Sequence, residues 1–325
     1  MRIASFNLEN LTDAPSDEAP LADRLGVLRP QLERLNADIL CLQEVDATRR
    51  DGARDLTALK TLIEPTPYRD FHVACTTSAK GAGPRDKHNL VVLSRWPIEN
   101  RVQYMNDLVR APRYARVTAE PADTDSKPVA WDRPILRADI ALPGGEALHV
   151  VNMHLRAPLA AHIPGQKIGP FAWKSVSSWA EGYFLAAMKR AGQALEARMA
   201  VDRIFDADAN ALIAVAGDFN AEEREAPARI VLGDQEDTRN GRLAGRSLVL
   251  LEHSLPEDRR FTVIHRGRRN MLDHLMVSRT LLGRYRRMEV HNEALGDELV
   301  AYTLVDAAPD SFHAPIVAEF GGSDG

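Results

Sequence analysis

The segment Leu212-Ile213-Ala214-Val215-Ala216 is an unbroken apolar run that stops at Gly217 and passes directly into Asp218-Phe219-Asn220. Alternate side chains of a strand point to opposite sides of the sheet, so a run that is apolar throughout must be covered on both faces. Asp38–Gln43 and Asn89–Ser94 have the same character. Buried strands of this kind require layers above and below them, and candidate helices are available to supply those layers. Leu21, Leu25, Leu28, Leu32 and Leu35 recur at intervals of three and four, the stripe of an amphipathic helix. Helices are also predicted over Asp55–Ile63, stopped by Pro65 and Pro67, from Trp173 to Asp208, and over Ala226–Leu232. Ile135–Leu142 and Ala147–Met153 flank Pro143-Gly144-Gly145 and read as a β-hairpin. The alternation of strands and helices fits a layered α/β architecture.

A chain of 325 residues with 45% hydrophobic content can bury a full core. No repeat, low-complexity tract or interdomain linker interrupts it, so one domain is expected over residues 1–320 with a loose tail at 321–325. Cys41 and Cys75 lie in apolar runs, which suits a reducing compartment without disulfides. The N-terminus enters a strand without a signal peptide, and no stretch is long and apolar enough to span a bilayer. A cytoplasmic enzyme or binding protein is the expectation. The net charge of −5 excludes a global basic field. Local patches remain: Arg259, Arg260, Arg266, Arg268 and Arg269 form the densest, and Arg110, Arg113, Arg116, Arg133 and Arg137 are scattered through a less regular segment.

The apolar strands share a second property: they end on residues able to do chemistry. Asn7 and Glu9 follow Arg2–Phe6 at alternate spacing, Glu44 closes the Asp38–Gln43 run, and Asn152 and His154 end the hairpin. Asp218 and Asn220 share a face, Asp273 and His274 lie in the strand-like Met271–Val277, and His313 stands before the last strand. Singly, each has an ordinary reading, since Gly, Asp and Asn are common at strand exits and a lone histidine is more often structural than catalytic. Jointly they offer hard-oxygen ligands and imidazoles without a thiolate cluster, which suits Mg²⁺ or Mn²⁺ rather than structural zinc. A Walker loop and a Gly-x-Ser-x-Gly elbow are both absent. A carboxylate-held cation beside His and Asn donors meets the needs of phosphoester hydrolysis: charge grows on phosphoryl oxygens, a water is deprotonated and a leaving oxygen is neutralised.

Phe6-Asn7-Leu8-Glu9, Leu42-Gln43-Glu44, Asn152-Met153-His154, Gly217-Asp218-Phe219-Asn220, Leu272-Asp273-His274 and Ser311-Phe312-His313 resemble, in order, the motifs of the endonuclease/exonuclease/phosphatase (DNase I-like) superfamily of metal-dependent phosphoesterases. The resemblance spans Arg2 to Phe320 and implies a four-layered α/β sandwich, two mainly antiparallel sheets face to face with helices outside. It implies that Glu44 holds one divalent metal, Mg²⁺ or Mn²⁺, with Asn7 and Glu9 assisting. His154 would contact the scissile phosphate, Asp218 would orient or deprotonate the attacking water, and Asn220 would stabilise transition-state oxygens. His313 would bind phosphate or assist the leaving group while Asp273 sets its tautomer. Asn89, Arg156 and His274 are the substrate-side candidates, His274 in support rather than chemistry.

One position departs from the family pattern: Phe312 stands where Asp usually precedes the last His. The change puts the metal coordination in question, and an apolar ring beside His313 would favour its neutral form by desolvation. The favoured expectation is a nuclease or phosphodiesterase, its partner a phosphoester with nucleic acid as one candidate. The alternatives are a phosphomonoesterase acting on a sugar, inositol or lipid phosphate, and a catalytically weak phosphate-binding pseudoenzyme. A lipid substrate would call for an exposed apolar loop, for which Ile163–Trp173 is the candidate, although its residues are expected to pack on the long helix.

Overall fold

The computed structural model describes residues 1–14, 19–50, 52–79, 83–170, 172–234, 239–299 and 308–321. The expected tail beyond residue 321, and Phe171 of the candidate loop, lie outside the described residues. In chain order, β1 (Arg2–Leu11) is followed by α1 (Leu21–Leu35), β2 (Ile39–Val45), α2 (Thr57–Ile63), β3 (His72–Cys75), β4 (Asn89–Ser94) and β5 (Ile98–Tyr104). The hairpin β6 (Ile135–Ala141) and β7 (Ala147–His154) precedes α3 (Val176–Ala207), β8 (Leu212–Asp218) and α4 (Ala226–Leu232). The chain then forms β9 (Val249–Leu250), β10 (Asp273–Val277), β11 (Tyr285–Val290) and β12 (Ile316–Phe320). Helix α3 starts at Val176 rather than Trp173 because the Ser175 side chain accepts the Ser178 N–H and caps it there.

Two six-stranded sheets result, ordered β11-β12-β1-β2-β4-β3 and β9-β10-β8-β7-β6-β5. Each has one parallel pair at its centre, β1 with β2 and β7 with β8, and is otherwise antiparallel. Along β8 the period-two alternation sorts the side chains. Leu212, Ala214 and Ala216 join Ile3, Ile39, Cys41 and Val92 in the core between the sheets. Ile213 and Val215 face the other way, with Ala197, Val201 and Ile204 of α3 and Ala228 and Val231 of α4. Leu28, Leu32 and Leu35 of α1 and Leu59 and Leu62 of α2 cover Phe6, Leu40 and Val91 on the far side of the first sheet. The layers are therefore helix, sheet, sheet, helix, and each Leu or Val buried in them contributes about 1.5–3 kcal/mol relative to exposure.

Parallel pairing brings the C-terminal ends of β1 and β2 to one edge, and those of β7 and β8 likewise, while the antiparallel neighbours β12 and β10 begin there. Just beneath that edge a buried amide pair ties the sheets together. Gln43 Nε2 donates to Asn152 Oδ1 at 2.8 Å, and Asn152 Nδ2 donates to the carbonyls of Leu42 and Val91 at 3.0 and 2.9 Å. Asn152 is thus a staple between sheets rather than a cleft residue.

Candidate active site

Three of the chain segments that reach this edge turn left-handed as they do so. Glu9, Glu44 and Asn220 have φ of 50°, 56° and 48°, and the pairing of β1 with β2 shifts register between Asn7 and Leu11. Left-handed backbone at non-glycine residues costs about 1–3 kcal/mol and persists where surrounding structure demands it, characteristically at functional sites. Gly217 has φ 141°, and a Cβ there would lie 1.8 Å from the Met153 carbonyl oxygen. Only glycine allows β8 to approach β7 so closely, and that approach sets Asp218 opposite His154.

Asp218 is the hub. Its Oδ2 accepts from Asn7 Nδ2 at 3.1 Å and from Asn220 Nδ2 at 3.0 Å, and its Oδ1 accepts the Asn220 N–H at 2.8 Å. His154 Nε2 lies 3.1 Å and His313 Nε2 3.9 Å from the same Oδ2. Burial opposes ionisation of Asp218, but His154, His313 and these hydrogen bonds outweigh it, so the carboxyl is held below its ordinary range. Asn7 Nδ2 also reaches Glu44 Oε1 at 3.4 Å, and His154 Nε2 lies 3.6 Å from that oxygen. The other Glu44 oxygen accepts the Asn10 N–H at 3.1 Å and faces His88 Nδ1 at 3.6 Å. Burial works against the Glu44 carboxylate too, and His88, His154 and Arg133 overcome it, keeping it ionised.

His313 and Asp273 complete the cluster. His313 Nδ1 and Asp273 Oδ2 are 2.8 Å apart, which leaves Nε2 for the cleft. Burial alone would lower the His313 pKa, but Asp273 and Asp218 raise it well above the ordinary histidine value. The expectation that Phe312 makes this imidazole neutral is therefore reversed: two carboxylates outweigh the apolar ring. Phe312 itself is buried at 5% exposure, its ring within van der Waals reach of the Gly296 position, and its backbone N–H donates to Glu9 Oε2 at 2.7 Å. His154 shows the opposite balance. Burial and the adjacent Arg133 depress its pKa more than Asp218 and Glu44 raise it, so its imidazole is neutral.

Of the substrate-side candidates, only Arg156 lines the cleft that opens beside the cluster. His274 is fully buried, its Nδ1 against Glu252 and its Nε2 2.8 Å from the Ala221 carbonyl, so it cannot meet substrate. With its ring edge-on to Phe219 at 4.9 Å, it holds the Asp218–Ala221 turn in place. Asn89 is equally buried. Its Oδ1 accepts the Arg85 N–H at 2.8 Å and its Nδ2 donates to the carbonyls of Val45 and Arg85 at 2.9 and 2.8 Å, fixing the backbone that presents Arg85. Most of the dense Arg259–Arg269 cluster is engaged locally: Arg259 pairs with Glu293, Arg268 with Glu222, and Arg269 stacks on Phe261. In the candidate apolar loop Ile163 is buried against Leu185 of α3 as expected, whereas Ile168 is 70% exposed.

Three residues of the site escape sequence reasoning. His88 sits in an irregular segment with no periodic signal, Arg133 is only one of several scattered arginines, and Arg24 stands at the margin of the α1 stripe, three residues from Leu21 and four from Leu28, with nothing local to mark what it holds. Yet Arg24 is buried and donates to the Glu9 and Leu8 carbonyls at 2.7 and 2.6 Å, holding the end of β1.

The arrangement provides two converging carboxylates, neutral amides, one neutral and one cationic imidazole, and a guanidinium. Glu44 and Asp218, bridged by one Asn7 amide, form a hard-oxygen pair of the kind that suits Mg²⁺ or Mn²⁺. Asp218, Asp273 and His313 also bring one ligand-capable atom each within 4.8 Å of one another. Because His313 Nδ1 is already engaged by Asp273, that trio reads as an acid dyad beside an acceptor.

Comparison with known proteins agrees with this layout. The family model described as Endonuclease/Exonuclease/phosphatase family matches residues 4–294. Curated protein sequences give no match. Among solved structures, an endonuclease/exonuclease/phosphatase family protein from Leptotrichia buccalis aligns with TM-score 0.55 at 14% identity, covering 99% of this chain and 100% of that one. A mannosyl-6-phosphatase from Bacteroides thetaiotaomicron aligns with TM-score 0.58 at 15% identity over 99% and 100% of the two chains. Truncated TDP2 from Caenorhabditis elegans aligns with TM-score 0.55 at 15% identity over 99% and 97%. At these identities the likeness speaks to the fold.

Proposed function

Because the chain belongs to the endonuclease/exonuclease/phosphatase family, we propose that it is a divalent-metal-dependent phosphoesterase that hydrolyses phosphodiesters. The observation that carries this reading is the meeting of Asn7, Glu44, His154, Asp218, Asn220 and the Asp273–His313 pair at one edge of the sandwich. Glu44, with Asn7 and Asp218 beside it and Glu9 behind, would hold Mg²⁺ or Mn²⁺. When bound, such an ion supplies Lewis-acid stabilisation of charge on the phosphoryl oxygens.

The chain's own residues account for the rest. Asp218, ionised and held by Asn7 and Asn220, accepts a hydrogen bond from the attacking water and draws off its proton. His313, cationic and held at Nδ1 by Asp273, donates from Nε2 to a phosphate oxygen or to the leaving oxygen as negative charge develops there. Asp273 sets the tautomer, as the orienting carboxylate of a triad does. His154 lines the phosphate side as a fixed neutral wall.

The test is hydrolysis of bis-p-nitrophenyl phosphate, plasmid DNA, RNA and p-nitrophenyl phosphate by purified protein with Mg²⁺, Mn²⁺ or EDTA. Diester cleavage that needs metal and stops in EDTA is expected. Hydrolysis of the monoester alone would replace this reading with phosphomonoesterase activity, and no turnover of any substrate would overturn it.

A further inference from the structure

Beside the catalytic cluster lies a cleft of about 570 Å³ whose cations are Arg54, Arg85, Lys87, Arg133 and Arg156 and whose acids are Asp86 and Asp132. It is continuous with the cluster, since two of its lining residues, His88 and Arg133, touch Glu44 and His154 respectively. Arg54 pairs with Asp86 at 3.6 Å and Arg156 with Asp132 at 3.3 Å. Among the described residues, Arg85, Lys87 and Arg133 have no carboxylate partner in an ion pair. A chain of net charge −5 thus concentrates an excess of positive charge at one place.

The arginines are also held rather than loose. The buried Asn89 clamps the Arg85 backbone from both its N–H and its carbonyl. Gln193 of α3, wholly buried, accepts the Arg156 N–H at 3.2 Å and donates to the Arg133 and His154 carbonyls at 3.1 and 3.0 Å. One buried amide therefore ties two cleft arginines to the catalytic histidine. Arg85 donates from Nη2 to the Asp132 carbonyl at 2.9 Å, and Arg156 Nε is buried without a partner. Desolvation lowers the Arg85 pKa, outweighing the attraction of the nearby Asp132 carboxylate. Arginine forks arranged this way match phosphate oxygens bidentately.

We propose that Arg85, Arg133 and Arg156 form a subsite for a second phosphate group of the substrate, adjoining the phosphate that is cleaved. The inference rests on the phosphoesterase reading above and specifies its substrate class: molecules carrying two neighbouring phosphates. The second phosphate comes either from an adjoining nucleotide or from a small bisphosphorylated molecule. The scissile phosphate is already served by His313, with His154 lining its side, so the fixed cations in the cleft call for a further anion.

Two measurements test it. In the first, inorganic pyrophosphate and inorganic phosphate are titrated calorimetrically into wild-type protein, Arg85→Ala, Arg85→Lys and Arg156→Ala. Wild type should bind pyrophosphate at least tenfold more tightly than phosphate. Arg85→Ala should lose most of that margin, and Arg85→Lys should restore part of it by keeping charge without the fork. In the second, kcat and KM are compared for pTpT against TpT, and for a hexose bisphosphate against its monophosphate. A preference of tenfold or more, carried in KM and collapsed by Arg85→Ala, is expected in one pair, and that pair identifies the source. Equal affinity for phosphate and pyrophosphate in wild type, or a margin untouched by both alanine variants, would overturn the subsite. Arginine-dependent pyrophosphate binding without turnover of any ester would uphold the subsite and overturn the phosphoesterase reading instead.

Discussion

His313 and Asp273, forty positions apart in the chain, meet with Nδ1 2.8 Å from Oδ2, and this contact leaves Nε2 of His313 as the nitrogen aimed at Asp218, 3.9 Å away. The pair lies between two sheets: Asp273 opens β10 and His313 lies three residues before the start of β12. Because one carboxylate holds the imidazole and another faces it, the ring is kept as a cation able to donate.

Replacing that donor should cost rate more than fold. His313→Ala is expected to lower kcat by about 10²–10⁴, the usual range for a positioned general acid, with an unchanged far-ultraviolet circular dichroism spectrum. Activity equal to wild type under saturating Mg²⁺ would remove His313 from the chemistry.

The pH dependence follows from the direction of its shift. Folding raises the His313 pKa above the unfolded value of about 6.5, so its contribution to stability is complete below that pH and is lost as pH rises through the folded pKa. Activity should fall along the same alkaline limb. Asp273→Asn removes the charge that raises this pKa, and the limb of kcat/KM should move to lower pH; a limb that stays in place would show that another group is being titrated. Asp218 behaves oppositely, its depressed pKa giving stability that is present above about 3.9 and lost as pH falls through the folded value.

Glu44→Gln keeps the volume and removes the charge that would face the cation. Mn²⁺ affinity, followed by electron paramagnetic resonance of the free ion, should weaken about 10–100-fold, on the scale seen when a metal site's supporting groups are changed. An unaltered titration would place the ion elsewhere, with the Asp218–Asp273–His313 grouping next to be examined.

Gly217→Ala tests the backbone geometry. A methyl group 1.8 Å from the Met153 carbonyl oxygen, on a residue with φ 141°, forces β7 and β8 apart and should destabilise by about 4 kcal/mol or more. Gly26→Ala on α1, where nothing lies within 4 Å, is the control and should be stabilising by about 0.5–1 kcal/mol. Urea unfolding of the two variants, each against wild type, decides it.

The periodic elements were legible because their signals are local. The five-leucine stripe marks α1 with its observed bounds, and Asn89–Ser94 and Ala226–Leu232 are found as read. Two edge strands were not legible. In β5 and β11, residues such as Glu99, Arg101, Arg286 and Arg287 face solvent, so the apolar signal of a covered strand is missing. Asn7, Glu44, His154, Asp218 and His313 could be picked out as candidates from the sequence because polar residues beside otherwise apolar strands stand out against their neighbours. Their partners could not. That His274 braces a turn, that Asn89 and Gln193 hold arginines, and that Arg24 secures the end of β1 depend on which carbonyls lie within 3 Å or so, and no spacing along the chain encodes that.

The sequence by itself determined which segments are covered on both faces and which residues stand at their ends, since burial follows from the alternation of apolar side chains. Only the tertiary structure decided that Ser311 Oγ would reach the Asn7 carbonyl across 304 positions, and that His313 would be a cation while His154 is not. Protonation depends on how many charges face a buried ring and how closely, and that is set by the stacking of two sheets rather than by the order of residues within either.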